Sequence, residues 1–170
     1  AIVSRKMYNL GLGYRAKFEE ELTRYLGLKD RKVIAVDSGT DALVLLLIGA
    51  EVGLDGRDEV IVPSFTFYAT INAILRCGLK PVFADINPET LNIDPEKVEM
   101  LVSDKTGAIM PVDVFGNPVD YERLAVISSK YRLKLLIDSA GSLGSTYKGK
   151  PIGNFGDGAA ISFSFGKIVQ

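Results

Sequence analysis

Three observations predict an α/β fold, with a mostly parallel sheet covered by helices on both faces. Short runs rich in β-branched and apolar residues recur along the 170-residue chain. They are nearly continuous in apolar character, as strands buried on two faces must be. Segments of helical spacing separate them, which implies right-handed crossovers between parallel strands.

The elements follow in order. A helix is expected over 15–26, where Phe18, Leu22, Tyr25 and Leu26 form one stripe and Glu19, Glu20 and Glu21 mostly face water. A strand is expected at 32–36. The next helix, 40–52, is apolar almost all round and so belongs in the body of the domain. Strand 59–62 leads to helix 67–77, and strand 81–84 to helix 94–102, where Pro95 suits a first helical turn. Strand 108–112 then precedes helix 118–131, which carries Tyr121, Leu124, Ala125 and Ile127 at helical spacing. Strands at 134–137 and 159–163 complete the set. No repeat, low-complexity tract or long polar linker interrupts the chain, so residues 1–170 are expected to form a single domain.

Composition excludes several function classes. At 47% apolar and 24% charged residues the chain has a globular make-up, and a formal net charge of −1 without a basic cluster argues against nucleic-acid binding. The apolar stretch 42–50 is too short to span a bilayer, and the first residues lack the layout of a secretory signal. One cysteine, Cys77, cannot form an internal disulfide and fits a reducing, cytoplasmic location. The chain has no histidine. Ser-His-Asp and Cys-His nucleophile systems and histidine-based metal sites are thereby excluded, and no metal site is expected. Proton transfer near neutral pH must come from a lysine, a carboxylate, a tyrosine or a cofactor.

Ligands of such sheets bind beyond the carboxyl ends of strands, and four motifs fall there. Asp37-Ser38-Gly39-Thr40-Asp41-Ala42 joins a strand to a helix; Gly39 permits close backbone approach, and the uncapped first-turn N–H groups form an anion site. A plain helix cap by Ser38 or Thr40 is the competing reading. The turn Pro63-Ser64-Phe65-Thr66-Phe67 offers Phe67 as a stacking face for a planar ring, or as core. Asp138 ends an apolar run, where its carboxylate could pair with a ring nitrogen or simply be solvated. Lys167 follows Ser162 by five residues, and Ser162 could bind the same phosphate as the Ser38-Gly39-Thr40 turn. A lysine amine attacks an aldehyde only when partly neutral, which desolvation favours. Together, a phosphate cradle, a strand-end aspartate and this lysine read as a pyridoxal 5′-phosphate site with Lys167 as its Schiff-base residue. Gly11-Leu12-Gly13 lacks a third glycine and a preceding strand, so a dinucleotide fingerprint is set aside.

These segments, in this order, resemble the DegT/DnrJ/EryC1/StrS family of sugar aminotransferases. The resemblance runs through Phe18-Glu19-Glu20-Glu21-Leu22, Ser38-Gly39-Thr40-Asp41-Ala42-Leu43, Asp58 to Phe67 and Pro81-Val82-Phe83-Ala84-Asp85. It continues through Pro111-Val112, Gly116, Asp138 and Gly153-Asn154-Phe155-Gly156-Asp157 to Ser162 and Lys167. It implies a fold-type I large-domain portion, with Gly39, Thr40, Asp41 and Ser162 on the cofactor phosphate. Phe67 would stack on the ring, Asp138 would face the pyridine nitrogen, and Lys167 would carry the cofactor. It further implies amino transfer, usually from glutamate, to a keto group of a nucleotide-linked sugar, by a homodimer with its active site between subunits. Lysine at 167 resembles the aminotransferase branch, since related dehydratases have histidine there. The sequence departs from the family at Gly141, where glutamine usually bonds the cofactor's 3′-oxygen, at Leu143, a frequent histidine, and at Gly166, commonly Ser or Thr. Relative to the family the chain is expected to be an N-terminal portion that stops after the lysine and lacks the C-terminal domain. Two other functions remain open: a different fold-type I enzyme such as a lyase, and an inactive remnant with an assembly or regulatory role.

Overall fold

Residues 13–167 are described by the computed structural model. The chain forms two units, Ala1–Val36 and Asp37–Gln170.

In the first unit helix α1, Tyr14–Tyr25, ends where Leu26 donates its N–H to Leu22. Leu22 and Leu26 are buried, whereas Phe18 is partly exposed and Tyr25 faces solvent at 63% exposure. The strand expected at 32–36 does not form. Its amides are satisfied by side chains of α1 instead: Val33 donates to the Thr23 hydroxyl at 3.2 Å and Ala35 to the Glu19 carboxylate at 2.8 Å. Apolar patterning reports burial, and a strand also requires a neighbour to complete its ladder.

The second unit starts with α2, Gly39–Gly49, followed by β1, Glu59–Pro63; α3, Tyr68–Arg76; β2, Lys80–Ala84; and α4, Pro95–Leu101. Then come β3, Thr106–Ile109; a 3₁₀ turn, Val114–Gly116; α5, Tyr121–Tyr131; and β4, Lys134–Asp138. A two-stranded antiparallel ribbon, β5 Thr146–Tyr147 with β6 Lys150–Pro151, precedes β7, Gly158–Ala160. The main sheet is parallel throughout, in the order β2-β1-β3-β4-β7. Pro81, which cannot donate to a ladder, lies on the edge strand β2.

Side-chain alternation along the strands builds one core on each face, as expected. Ile61, Ile109, Leu135 and Ile137 point to the layer of α4 and α5, where they meet Val98, Tyr121, Leu124 and Ile127. Val60, Val62, Ala108, Met110, Leu136 and Ala160 point to the other face, against Leu43 and Leu47 of α2 and Ala73 and Ile74 of α3. Burying each such aliphatic side chain contributes about 1.5–3 kcal/mol. Helix α2 is less enclosed than its composition suggests: Leu43 and Leu47 are buried, but Leu45 and Ile48 are more than half exposed.

Two expected strands end early. β3 stops at Ile109, and beyond it Val112 makes an isolated parallel bridge to Asp138. β7 stops at Ala160, leaving residues 161–167 outside the sheet. The order β2-β1-β3 places β1 between strands that the chain lays down on opposite sides of it. This is a topological switch point, and the crevice beyond its carboxyl ends is where such sheets bind ligands.

Candidate active site

Asp138 is the last residue of β4 and only 5% exposed. Its backbone is pinned to the chain after β3, donating to the Pro111 carbonyl at 2.9 Å and accepting from the Asp113 N–H at 3.0 Å. Its side chain is pinned too. Thr70 Oγ1, on the first turn of α3, donates to Oδ2 at 2.8 Å, and the Ala140 N–H donates to Oδ1 at 3.1 Å. Thr66 and Thr70 share a further hydroxyl contact of 2.8 Å. Burial pushes the carboxyl's proton affinity up; Thr70, the Ala140 amide and the charge of Lys167 pull it down, and Asp113 adds to the rise. A carboxylate offers about four lone-pair sites, so Asp138 keeps acceptor capacity for a partner.

The candidate anion site lies at the start of α2. Ser38 is the N-cap: its hydroxyl accepts the Asp41 N–H at 3.1 Å and donates to the Asp41 carboxylate at 2.7 Å. Capping by Ser38, one of the two readings open for this turn, therefore occurs. Asp41 also pairs with Arg76 at 3.6 Å, so its amide and carboxylate are both engaged within the protein. The first-turn amides that Ser38 does not cap belong to Gly39 and Thr40. Ser162 lies directly against them: a Cβ at Gly39 would stand 3.1 Å from Ser162 Cβ and 3.3 Å from its Oγ. Ser162 is buried, and its Oγ accepts the Ser164 N–H at 3.3 Å. Two uncapped amides at a positive helix end thus lie beside the Ser162 side chain, which a Cβ at Gly39 would press upon.

Lys167 closes the same end of the sheet. A turn in which the Lys167 N–H donates to the Ser164 carbonyl at 3.0 Å carries it, with Gly166 at φ +84°. Glycine adopts that left-handed conformation without a Cβ penalty. The half-buried ammonium lies 6.0 Å from the centroid of the Phe67 ring. Phe67 is 62% exposed and packs against Tyr68 at 4.1 Å between centroids, so it is a surface platform rather than core. Gly141 has open space where a Cβ would stand, and Leu143 is buried.

Asp138, Lys167 and Phe67 are therefore brought together, as are Gly39 and Ser162. Sequence reasoning missed Thr70, whose one-turn spacing from Thr66 was the available signal. It also missed Asp113, which lies just past β3 and is fully engaged inside the protein. Among the described residues, no group of three or more His, Cys, Asp or Glu could hold a metal ion, and no helix is long and apolar enough to cross a membrane.

A mostly parallel sheet with helices on both faces is the architecture of fold-type I aminotransferases, and Asp138 and Lys167 lie near its strand tips. The model of the DegT/DnrJ/EryC1/StrS aminotransferase family matches residues 2–169, and the chain belongs to that family. It is 39% identical over 153 residues to the GDP-perosamine synthase of Caulobacter vibrioides, covering 90% of this chain and 40% of that protein. It is 42% identical over 146 residues to the dTDP-3-amino-3,6-dideoxy-alpha-D-galactopyranose transaminase of Aneurinibacillus thermoaerophilus, covering 86% and 39%. A pleiotropic regulatory protein of Geobacillus stearothermophilus is 42% identical over 150 residues, covering 88% and 39%. Among solved structures, Helicobacter pylori PseC, an aminotransferase involved in the biosynthesis of pseudoaminic acid, superposes with a TM-score of 0.86 at 34% identity, covering 92% of this chain and 41% of PseC. The PLP-form of the sugar aminotransferase Spr1654 from Streptococcus pneumoniae superposes with a TM-score of 0.85 at 34% identity, covering 92% and 43%. The chain spans about two-fifths of the length of these relatives.

Proposed function

We propose that this chain carries the cofactor site of a pyridoxal 5′-phosphate-dependent aminotransferase that delivers an amino group, with glutamate as donor, to a keto group of a nucleotide-linked sugar. One observation carries the reading. A buried, doubly hydrogen-bonded aspartate at a strand tip shares its site with a lysine poised over an exposed aromatic ring. The donor set fits the cofactor. The Gly39 and Thr40 amides and Ser162 would hold its phosphate, and Phe67 would support one ring face. Asp138 would keep a proton on the pyridine nitrogen, with Thr70 fixing the carboxylate's orientation. Lys167 would carry the cofactor and then move a proton at the substrate's reacting carbon. When bound, the cofactor supplies an electron sink for the developing carbanion. The names of the relatives support a nucleotide-linked sugar as acceptor, and the family's usual assembly supports a homodimer in the cytoplasm.

A second reading, a regulatory or assembly role, is favoured by the regulatory protein among the relatives. One assay separates the two. The intact protein is supplied with the cofactor, glutamate and nucleotide-linked 3-keto or 4-keto sugars, and 2-oxoglutarate and amino sugar are measured. Matched formation of both is expected. A protein that takes up no cofactor and forms neither product would favour the regulatory reading.

A further inference from the structure

Asp113 lies just past β3, 2% exposed, with its partners drawn from two other segments. Three hydroxyls converge on Oδ2: Tyr121 of α5 at 2.7 Å, Ser139 at 2.7 Å and Ser142 at 3.0 Å. The Val119 N–H donates to Oδ1 at 3.1 Å. Four donors and no acceptor suit an ionised carboxylate, which only accepts. Ser139 and Ser142 belong to the loop that follows Asp138, and the Asp113 N–H holds the Asp138 carbonyl at 3.0 Å. Asp113 thus grips the chain at Asp138, one residue beyond it and four residues beyond it.

A buried charge that only filled space would be replaceable by an apolar side chain at no loss. Here it is instead linked to a second buried carboxylate through one peptide. We propose that Asp113 is the positioning residue of Asp138: it anchors the loop that aims the Asp138 carboxylate, and its negative charge strengthens Asp138's hold on a protonated partner. The titratable groups facing Asp113 are Tyr121 and Asp138, and the charged groups facing Asp138 are Lys167 and Asp113. Burial, and after it the charge and hydrogen bond of Asp113, hold the Tyr121 hydroxyl well above its ordinary range, so Tyr121 stays a donor at working pH.

Only the identity of the partner rests on the function proposed above, and the test separates the two. In the cofactor-free protein with carboxyl-¹³C aspartate, Asp113 and Asp138 should titrate as a coupled pair, the Asp138 curve carrying a second inflection where Asp113 titrates. Two independent single-step curves would overturn the proposal without any variant being made. In Asp113→Asn the Asp138 carboxyl should titrate lower, because a like charge has gone; an unchanged midpoint in a folded variant would overturn it. With pyridoxal phosphate labelled at the ring nitrogen, the ¹⁵N signal of Asp113→Asn should move toward the unprotonated position, and kcat should fall about tenfold with KM unchanged. An unmoved ¹⁵N signal contradicts the positioning role. Failure of the wild type to take up cofactor would instead sink the functional reading and leave the coupled titration to decide for Asp113.

Discussion

At the scale of single residues the site turns on the buried carboxyl of Asp138. Burial raises the proton affinity of Asp138, against an unfolded-state value of about 3.9. Because its folded value is the higher one, its contribution to stability is fully present below about pH 4 and is lost as pH rises through the folded value. Asp138→Asn removes that dependence. The melting temperature of wild type relative to this variant should therefore rise as pH falls from neutral toward 4, as scanning calorimetry can follow; a pH-independent difference would show that Asp138 titrates normally. The same variant should retain cofactor binding yet slow the half-reaction with glutamate by about 100-fold, the scale of losing one preorganised electrostatic partner. Normal half-reaction kinetics would make the residue structural. Asp138 was legible in the sequence because a lone carboxylate ended an apolar run. The spacing of Thr70 from Thr66 hinted at a pair of hydroxyls, but its bond to Asp138 was not legible, since only folding brings α3 beside β4.

At the scale of elements the approach of α2 to residue 162 is set by glycine. In Gly39→Ala the new Cβ would crowd Ser162 at 3.1 and 3.3 Å. Stability should change by no more than about 1 kcal/mol, because alanine favours the helix by roughly that amount. Cofactor affinity should fall about tenfold by absorbance titration, and unchanged affinity would move the phosphate elsewhere. Gly156 is a stricter case: φ is +61°, and a Cβ there would run into the Leu135 carbonyl oxygen. The next residue, Asp157, bonds Leu135 through both its backbone N–H, at 2.7 Å, and its carboxylate, at 2.8 Å. Gly156→Ala should thus separate β4 from β7 and destabilise by more than about 2 kcal/mol in urea unfolding; a neutral effect would mean the turn can relax. The Gly153 to Asp157 segment was recognised as a motif, but its work as the clasp of a strand start could be read only from the fold. Among the described residues, the five main-sheet strands and the five α-helices were legible from apolar runs and helical spacing. The strand at 32–36 was over-read, because its amides found Glu19 and Thr23 of α1 before any strand neighbour.

At the scale of the whole molecule, large apolar side chains remain outward on several elements. Leu45 and Ile48 on α2, Leu75 on α3, Phe83 on β2 and Phe115 beyond β3 are 51–83% exposed. Where such side chains form a contiguous patch they mark an association surface. Sedimentation should therefore show this chain associating at micromolar concentration, and a monodisperse monomer there would contradict the expectation. The central claim is that the strand tips hold pyridoxal phosphate on one particular lysine. It is tested most directly by adding the cofactor, reducing with borohydride and mapping the peptides by mass spectrometry. The account predicts a pyridoxyl group on Lys167, abolished by pre-treatment with excess free phosphate analogue of the cofactor and absent from Lys167→Ala. A pyridoxyl group on another lysine, with Lys167 unmodified, would contradict it.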